Sequence, residues 1–235
     1  MPTRYLKPKD ESERGALEAG TPLTARALLA APPLRRDFFN RDAVTVGREL
    51  LGKLLIRRDG RRLLAGRIVE DEAYLGALDP ASHAYSGRTP RNAVLFGPPG
   101  HAYVYFIYGN YYCTNVSCMP EGDAGCVLLR AIEPVLGLDA MIEARGLESS
   151  SPAGISQIRL ISSGPGRMSE ALGITRARDN GKDLTERKSD LWIAADGYRP
   201  ERVIETPRIG IKKAVKEPLR FVIAGNRFVS GKRGS

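Results

Sequence analysis

Long apolar runs are missing from this 235-residue chain. No stretch of about 18 apolar residues occurs, which excludes a transmembrane helix. The start, MPTRYLKPKDESERGALEAG, is too polar for a secretory signal. Cysteine is scarce: Cys113, Cys118 and Cys126 are odd in number and none sits in a CxxC pair. Neither a disulfide framework nor a zinc ribbon follows from them, and a reducing, cytoplasmic setting is expected. His83 and His101 stand alone and too far apart for an HxxxH pair. A Walker loop, a dinucleotide fingerprint and a nucleophile elbow are all absent, which sets aside the commonest nucleotide-binding and serine-hydrolase classes. Acidic residues are the minority charge, 27 against 36 basic, for a net charge of +9. A field of that sign favours a polyanionic partner, nucleic acid before membrane.

What is present describes one folded unit. Residues 1–33 mix charges, small residues and Pro32-Pro33, and read as a mobile polar arm in which a short helix around Ala25–Ala31 is an option. The folded domain is expected from 34 to 235. Phe38 and Phe39 anchor its start, with Asn40 as N-cap of a helix over Arg41–Leu51 that Gly52 ends. KLLIRR, a turn at Asp59-Gly60 and RRLLAGRIVEDEAY give a hairpin, and residues 75–100 form a long Gly-, Pro- and Ser-rich loop. HAYVYFIY and YYCTNVSCM give a second hairpin, with a two-residue turn at Gly109-Asn110 and Tyr108 opposite Tyr111. GCVLLRAIEP is a buried strand, Gly137–Arg145 and Arg167–Leu172 are helices, and PRIGI and RFVIAG return to strands. The expected fold is α+β: a single compact domain with a curved, mainly antiparallel sheet, flanking helices and a protruding hairpin.

Three places carry chemistry. Period-2 geometry puts Ile68, Glu70, Glu72 and Tyr74 on one face of IVEDEAY, with Val69, Asp71 and Ala73 on the other. Three acids so close belong either to a solvated edge strand or to a paired, functional cluster, since unpaired burial costs several kcal/mol per charge. Arg130 lies among leucines in CVLLRAI, on a face with Cys126 and Leu128, and needs a carboxylate partner such as Glu72 or Glu70. Six of the chain's aromatic residues, from Tyr103 to Tyr112, crowd the second hairpin, where tip rings suit stacking on bases or wedging between them. Two basic regions add phosphate contacts. SSGPGR, with Gly164 and Arg167, opens a helix. The tail from Thr206 carries Arg208, Lys212, Lys213, Lys216, Arg220, Arg227, Lys232 and Arg233 against Glu217 alone, beside Arg88 and Arg91 of the long loop.

RIVEDEAYLG, SHAYSGRTPRN, YVYFIYGNYYCTNVS, CVLLRAIEP and SGPGRMSEALGI, in this order over about Asp37 to Val229, resemble the alkyladenine (3-methyladenine) DNA glycosylases of mammals and many bacteria. The resemblance implies a cofactor-free, metal-free enzyme that acts as a monomer on double-stranded DNA containing damaged purines. Such an enzyme flips the damaged nucleotide out and hydrolyses its N-glycosidic bond, leaving an abasic site. It further implies Glu72 as general base, with Arg130 and the backbone of Val127 holding the water. Tyr74, His83 and Tyr105 become the walls around the flipped base, Asn115 and Leu128 pocket lining, and Tyr108 the plug in the minor groove. Arg88, Arg91, Gly164, Arg167, Lys212, Lys213 and Arg220 become candidate contacts to the DNA backbone. Spacing alone does not choose between Glu70 and Glu72. A non-catalytic nucleic-acid-binding module would also explain the basic tail and the aromatic hairpin, but it leaves Arg130 and its acid idle.

Overall fold

The computed structural model describes residues 23–107, 109, 111–147 and 155–231, with the side chains of 155–157 left aside. An open, eight-stranded antiparallel sheet organises it. The strands are β1 (Leu54–Asp59), β2 (Arg62–Tyr74), β3 (Ala102–Ile107), β4 (Tyr111–Cys118), β5 (Gly125–Leu136), β6 (Leu191–Ala194), β7 (Val203–Thr206) and β8 (Arg220–Ile223). Their order is β3-β4-β5-β2-β1-β6, with β8 joined to β2 and β7 to β8. Helices α1 (Ala25–Ala30), α2 (Arg36–Phe39), α3 (Ala43–Leu50), α4 (Leu138–Ala144), α5 (Ile155–Ser162), α6 (Pro165–Ala171) and α7 (Arg176–Asp179) complete the described elements, apart from two 3-10 turns. The main core holds Val46 and Leu50 of α3, Met141 of α4 and Met168 of α6 against Val69, Ala73, Val116, Val127 and Leu129 of the sheet. The other face of β3, β4 and β5 is covered by the 75–100 loop, whose Ala84 and Leu95 pack with Tyr103 and Cys126.

The longest strand decides the rest. The first half of β2 pairs with β1 through Arg67, whereas Glu70, Asp71 and Glu72 pair with Val222, Phe221 and Arg220 of β8. On its other edge β2 pairs with β5 throughout, with register shifts around Ile68–Asp71. The acid-rich segment is therefore hydrogen-bonded on both edges and is no solvated edge strand. The shift also corrects the simple alternation. Ile68 and Val69 both enter the main core, because one β2 residue is left over between the Ile68–Ile132 and Glu70–Ala131 pairs. From Glu70 onward the expected alternation holds, with Glu70, Glu72 and Tyr74 on the loop face and Asp71 and Ala73 toward the helices.

Several boundaries differ from the sequence expectation for identifiable reasons. Asp42, not Asn40, caps the helix that starts at Ala43, its carboxylate accepting from the Thr45 N–H at 2.9 Å; Asn40 instead ends α2. The last described pair of the second hairpin is Ile107–Tyr111, with Gly109 between the strands at φ +77°. Tyr111 thus pairs with Ile107, and the expected place of Tyr108 opposite it falls on a residue outside those described. PRIGI is not a strand: β7 comes just before it, and residues 207–219 form a long connection. Residues 1–22 of the expected arm lie outside the described residues. Leu28 of α1, however, is fully buried with Trp192, and Pro33 bridges Ala194, so this part is packed rather than mobile.

Asp71 is the exception within the core. It is fully buried on the helix face, and neither carboxylate oxygen has a hydrogen-bond partner among the described residues. Its surroundings are tight, since a Cβ on Gly47 of α3 would sit 3.1 Å from its Oδ1 and 3.0 Å from the Phe221 ring. Burial, and then the charges of Glu70 and Glu72, push the carboxyl well above its usual range. A raised acid stabilises the fold relative to the unfolded chain below the unfolded pKa, and that contribution is lost as pH rises toward the folded value. Asp71→Val removes an unsatisfied polar group and should raise stability at pH 7 by about 1–3 kcal/mol. In thermal melts its advantage should widen from pH 4 to pH 8. A variant melting below the wild type at pH 7 would contradict this account.

Candidate active site

On the loop face, β2, β3, β4 and β5 present Tyr74, Tyr105, Asn115, Leu128 and Arg130 to one cavity of about 530 Å³. That volume lies in the ~300–1,000 Å³ range of small-molecule sites. Strand pairing explains the convergence: Tyr103 lies opposite Asn115, Tyr105 opposite Cys113, and Asn115 opposite Leu128, all on one face. The 75–100 loop contributes His83, α6 contributes Pro165, and the 207–219 connection contributes Ile209 through Lys213. Aromatic rings form the wall. The His83 and Tyr105 ring centroids are 4.6 Å apart, Tyr103 and Tyr105 5.3 Å, and the Tyr103 hydroxyl lies 3.0 Å from His83 Nδ1. Burial, and then the Arg91 charge, hold His83 below the usual histidine range, so the ring against Tyr105 is neutral at physiological pH.

Two buried carboxylates, Glu70 and Glu72, are paired with Arg130 of the lining, and their environments differ. Glu70 is saturated. Its Oε1 accepts from Arg130 Nε, Arg220 Nε and the Ser230 hydroxyl, each at 2.8 Å, and its Oε2 accepts from the Ser230 N–H. Burial pushes this carboxyl up, but Arg130, Arg220 and the Ser230 N–H outweigh it and hold it below the usual range. Glu72 is also fully buried, just beneath the lining, and each of its partners lines the cavity. Arg130 Nη1 lies 3.1 Å from its Oε1, the Ile209 N–H donates to the same oxygen at 2.8 Å, and the Tyr74 hydroxyl donates to Oε2 at 2.9 Å. Burial, and then the Glu72 charge and hydrogen bond, push the Tyr74 phenol well up, which keeps it a donor. Oε2 has Tyr74 as its one hydrogen-bond donor among the described residues and keeps acceptor capacity for a water.

The remaining sequence-derived residues fall into three groups. Arg88 and Arg91 are exposed, with the Arg91 guanidinium 5.8 Å from the Tyr105 ring centroid; Lys212 and Lys213 are exposed at the cavity mouth. Gly164, at φ +110°, precedes α6, and Arg167 lies half-buried in its first turn. Arg220 is not a DNA contact: it is buried, donating to Glu70, the Thr206 hydroxyl and the Ser230 carbonyl. Arg208 is likewise an interior charge, paired with Asp79. The basic tail is thus partly a set of internal partners. The Val127 side chain points into the main core, and its backbone lies in the ladder between Ala73 and Val116. The backbone group that reaches Glu72 is that of Ile209, for which the sequence held no signal beyond its place after an arginine. Cys113 and Cys126 line the cavity as free thiols that burial pushes up to about 11 and about 12. Among the described residues no cluster of three metal-ligating side chains occurs, and no helix is long and apolar enough to cross a membrane.

The division between the two acids is measurable. Glu70→Gln leaves Arg130 and Arg220 buried without their charge partner and should cost about 3–5 kcal/mol at pH 7. A lowered carboxyl contributes stability above its unfolded pKa and loses it as pH falls through the folded value. The gap between wild type and variant in thermal melts should therefore close as pH drops below about 4.5. Equal stability at pH 7 would overturn the assignment of Glu70 as the structural acid.

Comparison with known proteins agrees with this geometry. The family model described as "Methylpurine-DNA glycosylase (MPG)" matches residues 37–227. A protein of Koribacter versatilis named "Putative 3-methyladenine DNA glycosylase" is 61% identical over 212 residues, covering 90% of this chain and 99% of the relative. Proteins of the same name from Burkholderia cenocepacia (48% identical, 83% of this chain and 90% of the relative) and Methanoculleus marisnigri (47%, 82% and 96%) match nearly as far. The chain belongs to the methylpurine-DNA glycosylase family.

Proposed function

We propose that this protein is a monofunctional DNA glycosylase of base-excision repair, acting as a cytoplasmic monomer on duplex DNA that carries alkylated purines. The observation that supports it best is the buried Glu72 carboxylate, held by three residues that line an aromatic-walled cavity of about 530 Å³. A base inside a duplex is inaccessible, so its nucleotide must be extruded into that cavity. Tyr108, at the turn of the second hairpin, is proposed to fill the vacated place in the stack. Alkylation at N3 of adenine or N7 of guanine leaves the base cationic, and rings such as Tyr74 and Tyr105 attract it by about 0.5–2 kcal/mol. The positive charge also weakens the bond to the sugar.

The chemistry then needs little. Water attacks C1′, the C1′–N bond breaks, the purine takes the bonding electrons and leaves, and Glu72 takes the proton of the attacking water. Arg130 holds Glu72 and the water, and Asn115 and Leu128 bound the base, Asn115 opposing the amino group of guanine. Hypoxanthine and ethenoadenine fit the same aromatic slot as further substrates. Arg88, Arg91, Lys212 and Lys213 are proposed to lie on the phosphates.

Glu72→Gln should retain the fold and DNA binding while single-turnover release of 3-methyladenine falls by about 100-fold or more. Release at the wild-type rate would rule out Glu72 as the base, and a wild type that binds but never releases base would leave only a binding module. Binding should also weaken with salt. Four phosphate contacts imply a slope of about −3 to −4 in log K against log[salt]. A slope near zero, measured by fluorescence anisotropy, would exclude this set of contacts.

A further inference from the structure

We propose that Arg208 and Asp79 form a positioning clamp: one buried ion pair that sets both the Tyr74 ring and the Ile209 N–H on Glu72. The proposal rests on the reading of Glu72 as the base. Neither partner was singled out for this role by the sequence, where Arg208 belongs to the basic tail and Asp79 to a polar loop.

The geometry forms a closed circuit of contacts. The two side chains are 0% and 1% exposed, and the guanidinium grips the carboxylate with both terminal nitrogens, Nη2 to Oδ1 at 2.9 Å and Nη1 to Oδ2. Asp79 also accepts from the N–H groups of Ala81 at 3.0 Å and Leu75 at 3.3 Å, which fixes it to the chain just beyond β2. Arg208 Nη1 donates to the carbonyl of Ala73 at 2.9 Å, and its guanidinium carbon lies 4.6 Å from the centre of the Tyr74 ring. The next residue, Ile209, donates its N–H to Glu72 Oε1, while Tyr74 donates its hydroxyl to Oε2. Both backbone-side and phenol-side donors to Glu72 are therefore set by what Arg208 grips.

The sheet alone does not supply this. Residues 207–219 form no strand, so no ladder places the Ile209 N–H. A buried ion pair is a poor source of stability, because desolvation offsets most of its attraction, and a bidentate arginine is chosen where direction matters. Here the direction is that of a carboxylate that must face a water at the cavity floor.

The test compares single-turnover base release from methylated duplex DNA, affinity for a duplex with an abasic-site analogue, and thermal melting. Arg208→Met, similar in length but uncharged, should lower the rate on the order of tenfold to 10²-fold while affinity changes little. Arg208→Lys, which keeps the charge and one donor, should recover part of the rate. If Arg208→Met fails to melt cooperatively, Asp79→Asn decides by the same measurements, with a rate loss expected. Wild-type rates in either folded variant, or loss of rate and affinity together in proportion to lost melting temperature, would overturn the clamp. A wild type that releases no base overturns the glycosylase reading and the clamp with it; a wild type that releases base while the variants match it overturns the clamp alone.

Discussion

Burying charge is the constraint from which the rest of this structure follows. Glu70, Glu72, Arg130 and Arg220 all lie at or below 9% exposure, on strands paired at both edges or at the β2–β8 junction. Each uncompensated member would cost several kcal/mol, so the chain must bring donors from far away in sequence. Ser230 reaches Glu70 across 160 positions, Arg220 across 150, and Ile209 reaches Glu72 across 137. The C-terminal third of the chain is thereby tied to β2 by electrostatics as much as by apolar packing. It is also why the loop that rims the cavity is held in place without a strand of its own.

Within that cluster, differences of environment assign different work to similar residues. Glu70 spends its acceptor sites on two arginines and a serine, and becomes a structural anion. Among the described residues, the Glu72 carboxylate is bonded to Arg130, Ile209 and Tyr74, each of which lines the cavity. Asp71, between them in sequence, points to the opposite side of the sheet and finds no hydrogen-bond partner among the described residues. Three consecutive acids thus have three fates, decided by strand alternation and by what lies on each face.

The basic surplus has a similar division. Arg208 and Arg220 are paired inside the molecule, whereas Arg88, Arg91, Lys212 and Lys213 remain exposed. The surplus counted along the C-terminal tail overstates what that segment offers a polyanion, because Arg208 and Arg220 are paired with Asp79 and Glu70 from elsewhere in the chain, whereas the net charge of +9 already includes both acids. Of the exposed remainder, Lys212 and Lys213 line the cavity, and Arg91 lies beside the Tyr105 ring in its wall.

The sequence by itself determined the strands around Arg62–Tyr74, Ala102–Cys118 and Gly125–Leu136, the glycosylase motifs they carry, and the pairing of Arg130 with an acid. Those features are local or follow from period-2 alternation, so residue order is enough to read them. The register shift at Ile68–Asp71, the pairing of Tyr111 with Ile107, the packing of α1 through Leu28, and the capture of Arg208, Arg220 and Ser230 come from the tertiary structure alone. Most depend on partners more than 50 positions away and the rest on the register of one strand against the next, and propensity or spacing does not encode either. The choice between Glu70 and Glu72 shows the boundary most clearly. Both acids point the same way along β2, and what separates them is which distant donors close over each, a matter of three-dimensional contact alone.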